Sequence, residues 1–383
     1  MIIKVWIGRY ESDVLTYKDN FFDFSVTYYG TNKNNNFAFS NTVRNQAVYN
    51  DIFVEFVNES LNEIKNKIIH KDYNLELYFY SNGIKRKLLE KYPEYEIVCK
   101  NCNNNKIIDW LNNKTYTRLW LDNTVNVPKY ALCSKSECNY QKLHSLFPEY
   151  DEFIIQKNYS AGGHGTFKLN KNNEKTIKDK ISFYEPYLVS PFLKNTISMC
   201  CHVIISEEDT LIFPLALQQL SEANNRISYE GTDYSFSKDL NKEIKDNCIE
   251  FINKISKLLS KNGYRGICGY DFLLIDKTPY FIEINPRFMG SSYLINYALS
   301  ESNLPSLFEL NTMAFENSKK LVKYKKVVSE MSINYITRTI SNFSGVESIK
   351  LPNQIHMFLD GLSEDTILTQ DVYLYRYFER KQQ

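Results

Sequence analysis

Apolar positions in the first hundred residues alternate between strand-like and helix-like spacing. "IIKVWIG" (2–8) is a near-continuous apolar run ending on a glycine, as a buried strand would be. In "IFVEFVNESLNEIKNKII" (52–69) the apolar side chains recur at helical spacing. "LELYFYSNG" (75–83) reads as a strand and turn, "IKRKLLEKYP" as a short helix halted by Pro93, and "YEIVC" as a further strand. "NKNNN" (32–36) is a loop and "NCNNN" (101–105) a boundary. This alternation predicts a small α/β unit over about the first hundred residues.

Further along, "DWLNNKTYTRLWLDNTVNVPKYAL" (109–132) predicts a helix followed by a strand after Pro128. "FIIQKNYSAGGHGTFKL" (153–169) predicts strand, glycine loop, strand. "PYLVSPFL" (186–193), "SMCCHVII" (198–205) and "LIFPLALQQL" read as three strands. A polar stretch, "SEANNRISYEGTDYS" (221–235), separates them from a long helix over 240–263 that ends on Gly263. "GICGYDFLLI" and "PYFIEIN" are two strands joined by a short loop around "DKTP", and "YLINYALS" is an amphipathic helix. The tail after residue 320 mixes strand and helix signals. No internal repeat is present.

With 383 residues, several domains around a large aromatic core are expected: 29 Tyr and 24 Phe supply it. Acidic and basic residues nearly cancel, at 45 and 46, and no long single-sign run marks a nucleic-acid footprint. The first apolar stretch is too short for a signal peptide and no 18-residue apolar run occurs, so the expectation is a soluble, cytoplasmic chain. Among the 8 cysteines, Cys99/Cys102 and Cys133/Cys138 could form a zinc site only if all four converged. The loose second spacing favours reduced thiols, and Cys200, Cys201, Cys248 and Cys268 read as core.

Chemistry gathers at four places. Glu283 and Asn285 are two apart on one strand and share a face, with Ile282 and Ile284 on the other. Asp271, on the preceding strand, joins Glu283 only if the loop has an odd length or a bulge intervenes; a three-residue loop would set Asp271 opposite Asn285. Two carboxylates and a carboxamide oxygen form a hard-oxygen set suited to magnesium, against the alternative of surface carboxylates placed by chance. Lys157 precedes a small-residue loop (Ser160, Gly162, Gly163, His164, Gly165) whose amides could approach phosphate, although many glycine hairpins are purely structural. Arg287 follows the metal candidates as a planar bidentate donor. Gly290, Ser291 and Ser292 could present a helix start to a carboxylate, or simply cap the helix.

In their order, "NKTYTRLWLDNTVNVP", "FIIQKNYSAGGHGTF", "PYLVSPFLKNTIS", "GICGYDFLLID" and "YFIEINPRFMGSS" resemble the ATP-grasp superfamily of ligases over about residues 110–310. The resemblance implies an α/β (α+β) chain: a Rossmann-like pre-ATP-grasp domain (1–108), the two ATP-grasp lobes (109–190 and 191–320), and an extension (321–383) of unassigned role. It implies ATP and Mg2+ as cofactors, with Mn2+ as a substitute for the latter. Lys114 and Lys157 match the nucleotide lysines, Ser160 to Gly165 the loop over the triphosphate, and Val189, Ser190 and Phe192 the adenine-reading hinge. That hinge lacks the usual glutamate, leaving Glu185 or Asn195 for the ribose. Asp271, Glu283 and Asn285 match the metal ligands, and Arg287 the arginine that stabilises an acyl phosphate. Lys157 and Arg287 are therefore the catalytic candidates, and Arg226 with Arg287, Gly290, Ser291 and Ser292 the substrate-binding ones.

The activity so implied is an ADP-forming carboxylate–amine or carboxylate–thiol ligase acting on an amino acid, peptide or carrier-bound acyl group, as in peptide, natural-product or antibiotic assembly. A small-molecule kinase and a non-catalytic nucleotide-binding regulator are the alternatives. An acyl carrier protein and a second copy of the chain are the candidate partners; nucleic acid and membrane are not expected.

Overall fold

A computed structural model describes residues 1–383 apart from 34, 41–42, 45–49, 69–71, 161–164, 182–185, 224, 343–355, 364–365, 369–371 and 382–383. The N-terminal unit is a parallel four-stranded sheet in the order Asn36–Ser40, Phe24–Tyr29, Ile2–Tyr10, Asn74–Phe79. Parallel strands are buried on both faces, which is why "IIKVWIG" carries almost no polar residue. The helix Asp51–Lys67 lays Phe53, Val54, Val57, Leu61 and Ile64 against this sheet, with Asn50 accepting from the Phe53 amide at its start.

Three expectations give way to the structure here. "YEIV" is a 3-10 turn (Pro93–Val98), because only Tyr95 finds a buried seat while Ile97 stays 87% exposed; a single bridge, Leu77 to Cys99, is all the sheet gains. The helix over 109–121 is two helices, Asn105–Asn112 and Lys114–Leu121, divided at Asn113, whose side chain accepts from the Tyr116 amide and caps the second. The stretch 221–235 is no separating loop. It supplies most of a hairpin, Ala216–Ala223 with Arg226–Asp233, turning at Asn225 with φ 61°.

Most remaining strands join one large, mainly antiparallel sheet, which includes Ile197–Ile205, Gly266–Ile275 and Thr278–Asn285 at one end and Glu152–Gln156, Thr166–Asn170 and Tyr187–Pro191 at the other. "LIFPLALQQL" splits at Pro214 into Thr210–Ile212 and Ala216–Ala223. The long helix spans Lys242–Lys261, and Gly263 follows it with φ 83°. The tail is part of the same body: Tyr335–Asn342 pairs with Arg226–Asp233 and with the last long strand, Val372–Arg380.

Among the described residues no four-cysteine or other three-ligand His/Cys/Asp/Glu cluster occurs. All eight thiols are free. Cys99 and Cys138 are each pushed up to about 12, chiefly by burial. Among the described residues no helix is long and apolar enough to cross a membrane.

Candidate nucleotide and metal site

The register of the two acidic strands decides whether a metal site exists. A two-residue turn, Asp276–Lys277, pairs Ile275 with Thr278, which by itself would keep Asp271 and Glu283 apart. One extra residue, Ile282, intervenes between the pairs Phe272–Phe281 and Asp271–Glu283. The bulge brings the two carboxylates opposite each other, and Asn285 falls beside Gly269 two pairs further on, on the same face as Glu283.

There the Asn285 amide nitrogen donates to Asp271 Oδ2 at 3.0 Å and to Glu283 Oε1 at 3.4 Å. Its amide oxygen accepts from Arg287 Nη2 at 2.9 Å. Lys114 Nζ sits 2.9 Å from Glu283 Oε2 and donates to the Ser160 carbonyl at 2.7 Å, joining the acidic strands to the glycine loop. Burial raises the Asp271 carboxyl well above its ordinary range, and the facing Glu283 carboxylate adds to this. Burial pushes Glu283 up too, but Lys114, the Asp271 hydrogen bond and Arg287 together hold it low. Asp271 Oδ1 is sealed from solvent and has no partner among the described residues. Two facing carboxylates, one with an orphaned oxygen, form a pair that fits a hard divalent cation; Asn285 presents its amide nitrogen to them and would join as a ligand only with its oxygen turned inward.

Asp271, Glu283, Asn285 and Arg287 open on a cavity of about 1120 Å3, whereas Lys114, behind Glu283, is not on its wall. Ile154, Gln156, Thr166, Ser190, Phe192 and Leu273 wall one half; Arg9, Tyr10, Tyr29, Tyr80 and Tyr373 wall the other, with Asp271, Glu283, Asn285 and Arg287 in between. Ser190 and Phe192 thus reach the cavity, whereas Val189 is fully buried behind it, paired with Ala131 and Ile155. Asn195 lies exposed in the following turn with φ 57°. Gly162, Gly163, His164 and Glu185 lie outside the described residues. Gly165, at φ 85°, must be glycine: a Cβ there would lie 2.9 Å from Lys157 Cδ.

Lys157 itself is not on the cavity wall; its neighbour Gln156 is. Behind Gln156 stands Arg118, one helical turn from Lys114 and 1% exposed. Its Nη2 donates to Gln156 Oε1 at 3.3 Å, while Nε and Nη1 are without partners among the described residues. Burial lowers this guanidinium to about 10. The i, i+4 spacing from Lys114 was the signal for it in the sequence.

The loop after the acidic strands is pinned from within. Tyr234 donates to Ser291 Oγ at 3.1 Å, His202 Nε2 lies 2.9 Å from Ser292 Oγ, and Ser292 Oγ also accepts from the Met289 amide at 2.8 Å. Burial pushes His202 down to about 3, so it is a neutral strut. Gly290 and Ser291 still border the cavity; Ser292 does not. Arg226 is off the wall as well, its guanidinium 5.9 Å from the Phe167 ring. The wall does include Arg376, from the last strand, a residue no sequence pattern singled out.

Residues 111–291 match the family model for an ATP-grasp domain. An uncharacterized protein of Methanocaldococcus jannaschii, MJ0776, is 24% identical over 313 residues, covering 81% of this chain and 74% of its own. The biotin carboxylase domain of Hydrogenobacter thermophilus 2-oxoglutarate carboxylase, solved with MgADP, ADP and bicarbonate, superposes with a TM-score of 0.63 at 12% identity. That match covers 99% of this chain and 86% of the other. Phosphoribosylamine–glycine ligase of Thermotoga maritima matches with a TM-score of 0.57 at 12% identity, covering 99% of this chain and 93% of its own. Residues 111–291 therefore match an ATP-grasp domain, and the parallel-sheet unit that precedes them completes the α/β architecture the sequence resembled.

Proposed function

We propose that this protein is an ATP-dependent ligase that joins a carboxylate to an amine or thiol through an acyl phosphate. The observation that carries the reading is the bulge at Ile282, which sets Asp271 opposite Glu283 at the centre of a cavity with room for a nucleotide and a second substrate. Asp271, Glu283 and Asn285 would hold Mg2+, which when bound supplies charge neutralisation to the nucleotide phosphates.

The remaining work falls to the chain's own side chains. Lys114 holds Glu283 ionised and ties it to the Ser160 carbonyl. The hinge strand offers backbone and the Ser190 and Phe192 side chains to the adenine. A substrate carboxylate oxygen attacks the γ-phosphorus, the bond to the β-bridging oxygen breaks, and ADP leaves. An amine or thiol then attacks the acyl carbon and phosphate leaves, the nucleophile's proton going to solvent. Among the described residues Arg287 donates to neutral oxygens, those of Asn285 and Phe288, which leaves its charge for the developing oxyanion. Substrate would lie in the tyrosine-lined half, where Arg9 and Arg287 favour an anion such as an amino acid or peptide; a carrier-bound acyl group is the larger alternative.

ADP release is the test, measured against amino acids, dipeptides and acyl carrier proteins paired with amine or thiol acceptors. A ligase liberates ADP and phosphate only when carboxylate and acceptor are both present. ADP formed from a lone hydroxylated substrate would instead identify a kinase. ATP binding with no turnover anywhere in the panel, unchanged by Glu283→Gln, would sink both enzymatic readings.

A further inference from the structure

We infer that Arg118, paired with Gln156, is the cationic phosphate-chain contact on the strand-152–156 wall of the nucleotide site, the place where the sequence pattern put Lys157. The inference rests on the nucleotide-binding reading above and adds the residue that the pattern missed. Three observations carry it. Gln156, not Lys157, faces the cavity at the end of that strand. The Lys157 aliphatic chain packs where a side chain on Gly165 would be. Arg118 lines the cavity although it is 1% exposed, and two of its three guanidinium nitrogens have no partner among the described residues.

A guanidinium held this way carries a cost with no structural return. Among the described residues no carboxylate lies within salt-bridge reach of it; the nearest acidic influence, Glu283, is already spoken for by Lys114. An unpaired charge buried against one neutral amide destabilises a fold, and such groups are retained where a ligand completes them. The ligand must bring anionic oxygens able to accept from a planar donor, and a nucleotide's phosphate chain does. Gln156 holds one nitrogen of the fork at 3.3 Å, and the other two have no partner among the described residues. Lys114, bound to Glu283, lies one turn earlier on the same helix, so both cations come from a single rigid element.

Arg118→Met and Arg118→Lys, with the parent, would be titrated with ATP, ADP and adenosine, each with magnesium. Arg118→Met should weaken ATP and ADP binding at least tenfold and leave adenosine binding unchanged, with Arg118→Lys in between. Thermal melting of the ligand-free proteins supplies a readout that a structural role would move the other way: the Met variant should melt at or above the parent temperature, and should lose the shift that ADP gives the parent. Equal ADP affinity in parent and Met variant overturns the inference, as does an equal loss for adenosine. So does a large drop in the ligand-free melting temperature. A parent protein that binds no nucleotide would refute the functional reading itself, a separate outcome from any of these.

Discussion

Arg118 and Arg376 are each 1% exposed and both border the same cavity, yet their surroundings differ in every respect. Arg376 donates to Asp13 Oδ1 at 2.5 Å and to Ser12 Oγ at 2.7 Å, with Asp360 Oδ2 3.9 Å from its Nε. Its guanidinium also stacks 4.0 Å from the Tyr293 ring and 4.5 Å from that of Tyr10. Asp360 is held in turn by the Ser12 amide and hydroxyl and by Tyr373. Although burial works against it, the charge of Arg376 is favoured overall, because Asp13 and Asp360 more than offset the lost water. Arg118 has one long contact to a neutral amide, and burial lowers it. A buried charge with counterions is part of the scaffold; on the inference drawn above, one without them is completed by a ligand.

The largest effect should come from breaking the scaffold side of this contrast. Arg376→Met leaves Asp13 and Asp360 buried without their cation and should cost about 3–5 kcal/mol in urea unfolding. Arg118→Met should change the same measurement by less than about 1 kcal/mol, or raise stability. Asp13→Asn with Asp360→Asn in the Arg376→Met background should recover part of the loss, since the stranded negative charges go with them. Equal destabilisation by the two arginine variants would erase the distinction.

Arg287 stands between the two. Its partners are the neutral Asn285 and Phe288 oxygens, so it should behave like Arg118 in stability and unlike it in chemistry. Arg287→Ala should lower ADP release in the full reaction by about 10²–10³-fold, the usual cost of removing one oxyanion donor, with nucleotide affinity little changed. Undiminished turnover would show that its charge is spent on holding the loop.

How much of this could be read from the sequence follows from which interactions are local. Glu283, Asn285 and Arg287 were legible because the period of a strand fixes a face within five residues. The bulge that admits Asp271 was not, since register depends on turn length and on packing across two strands, though the need for an odd loop or a bulge could be stated in advance. The second strand of the 216–233 hairpin was missed because its sequence, "RISYEGTD", lacks apolar alternation, and "YEIVC" was misread because an apolar run says nothing of whether a seat exists for it. Arg118 sits at a spacing that gives its helix face but not its burial. Arg376 finds Ser12 across 364 residues, beyond any local pattern.

The smallest effect lies on the acidic side, where Asp271 is the counterpart of Arg118: a sealed group with an unpartnered atom. Burial and the facing Glu283 raise its carboxyl well above the ordinary 3.8. Its contribution to stability is therefore complete below that ordinary value and is lost as pH climbs through the raised one. Glu283, held low by Lys114, acts in the opposite sense, losing its contribution as pH falls. A divalent cation requires Asp271 ionised, so binding of magnesium with nucleotide should expel up to about one proton below the raised value and none well above it. Calorimetry in two buffers of different ionisation enthalpy measures that release directly. Asp271→Asn should abolish it and flatten the decline of ligand-free stability with rising pH. An Asn variant that keeps both the proton release and the slope would place the shared proton elsewhere in the cluster.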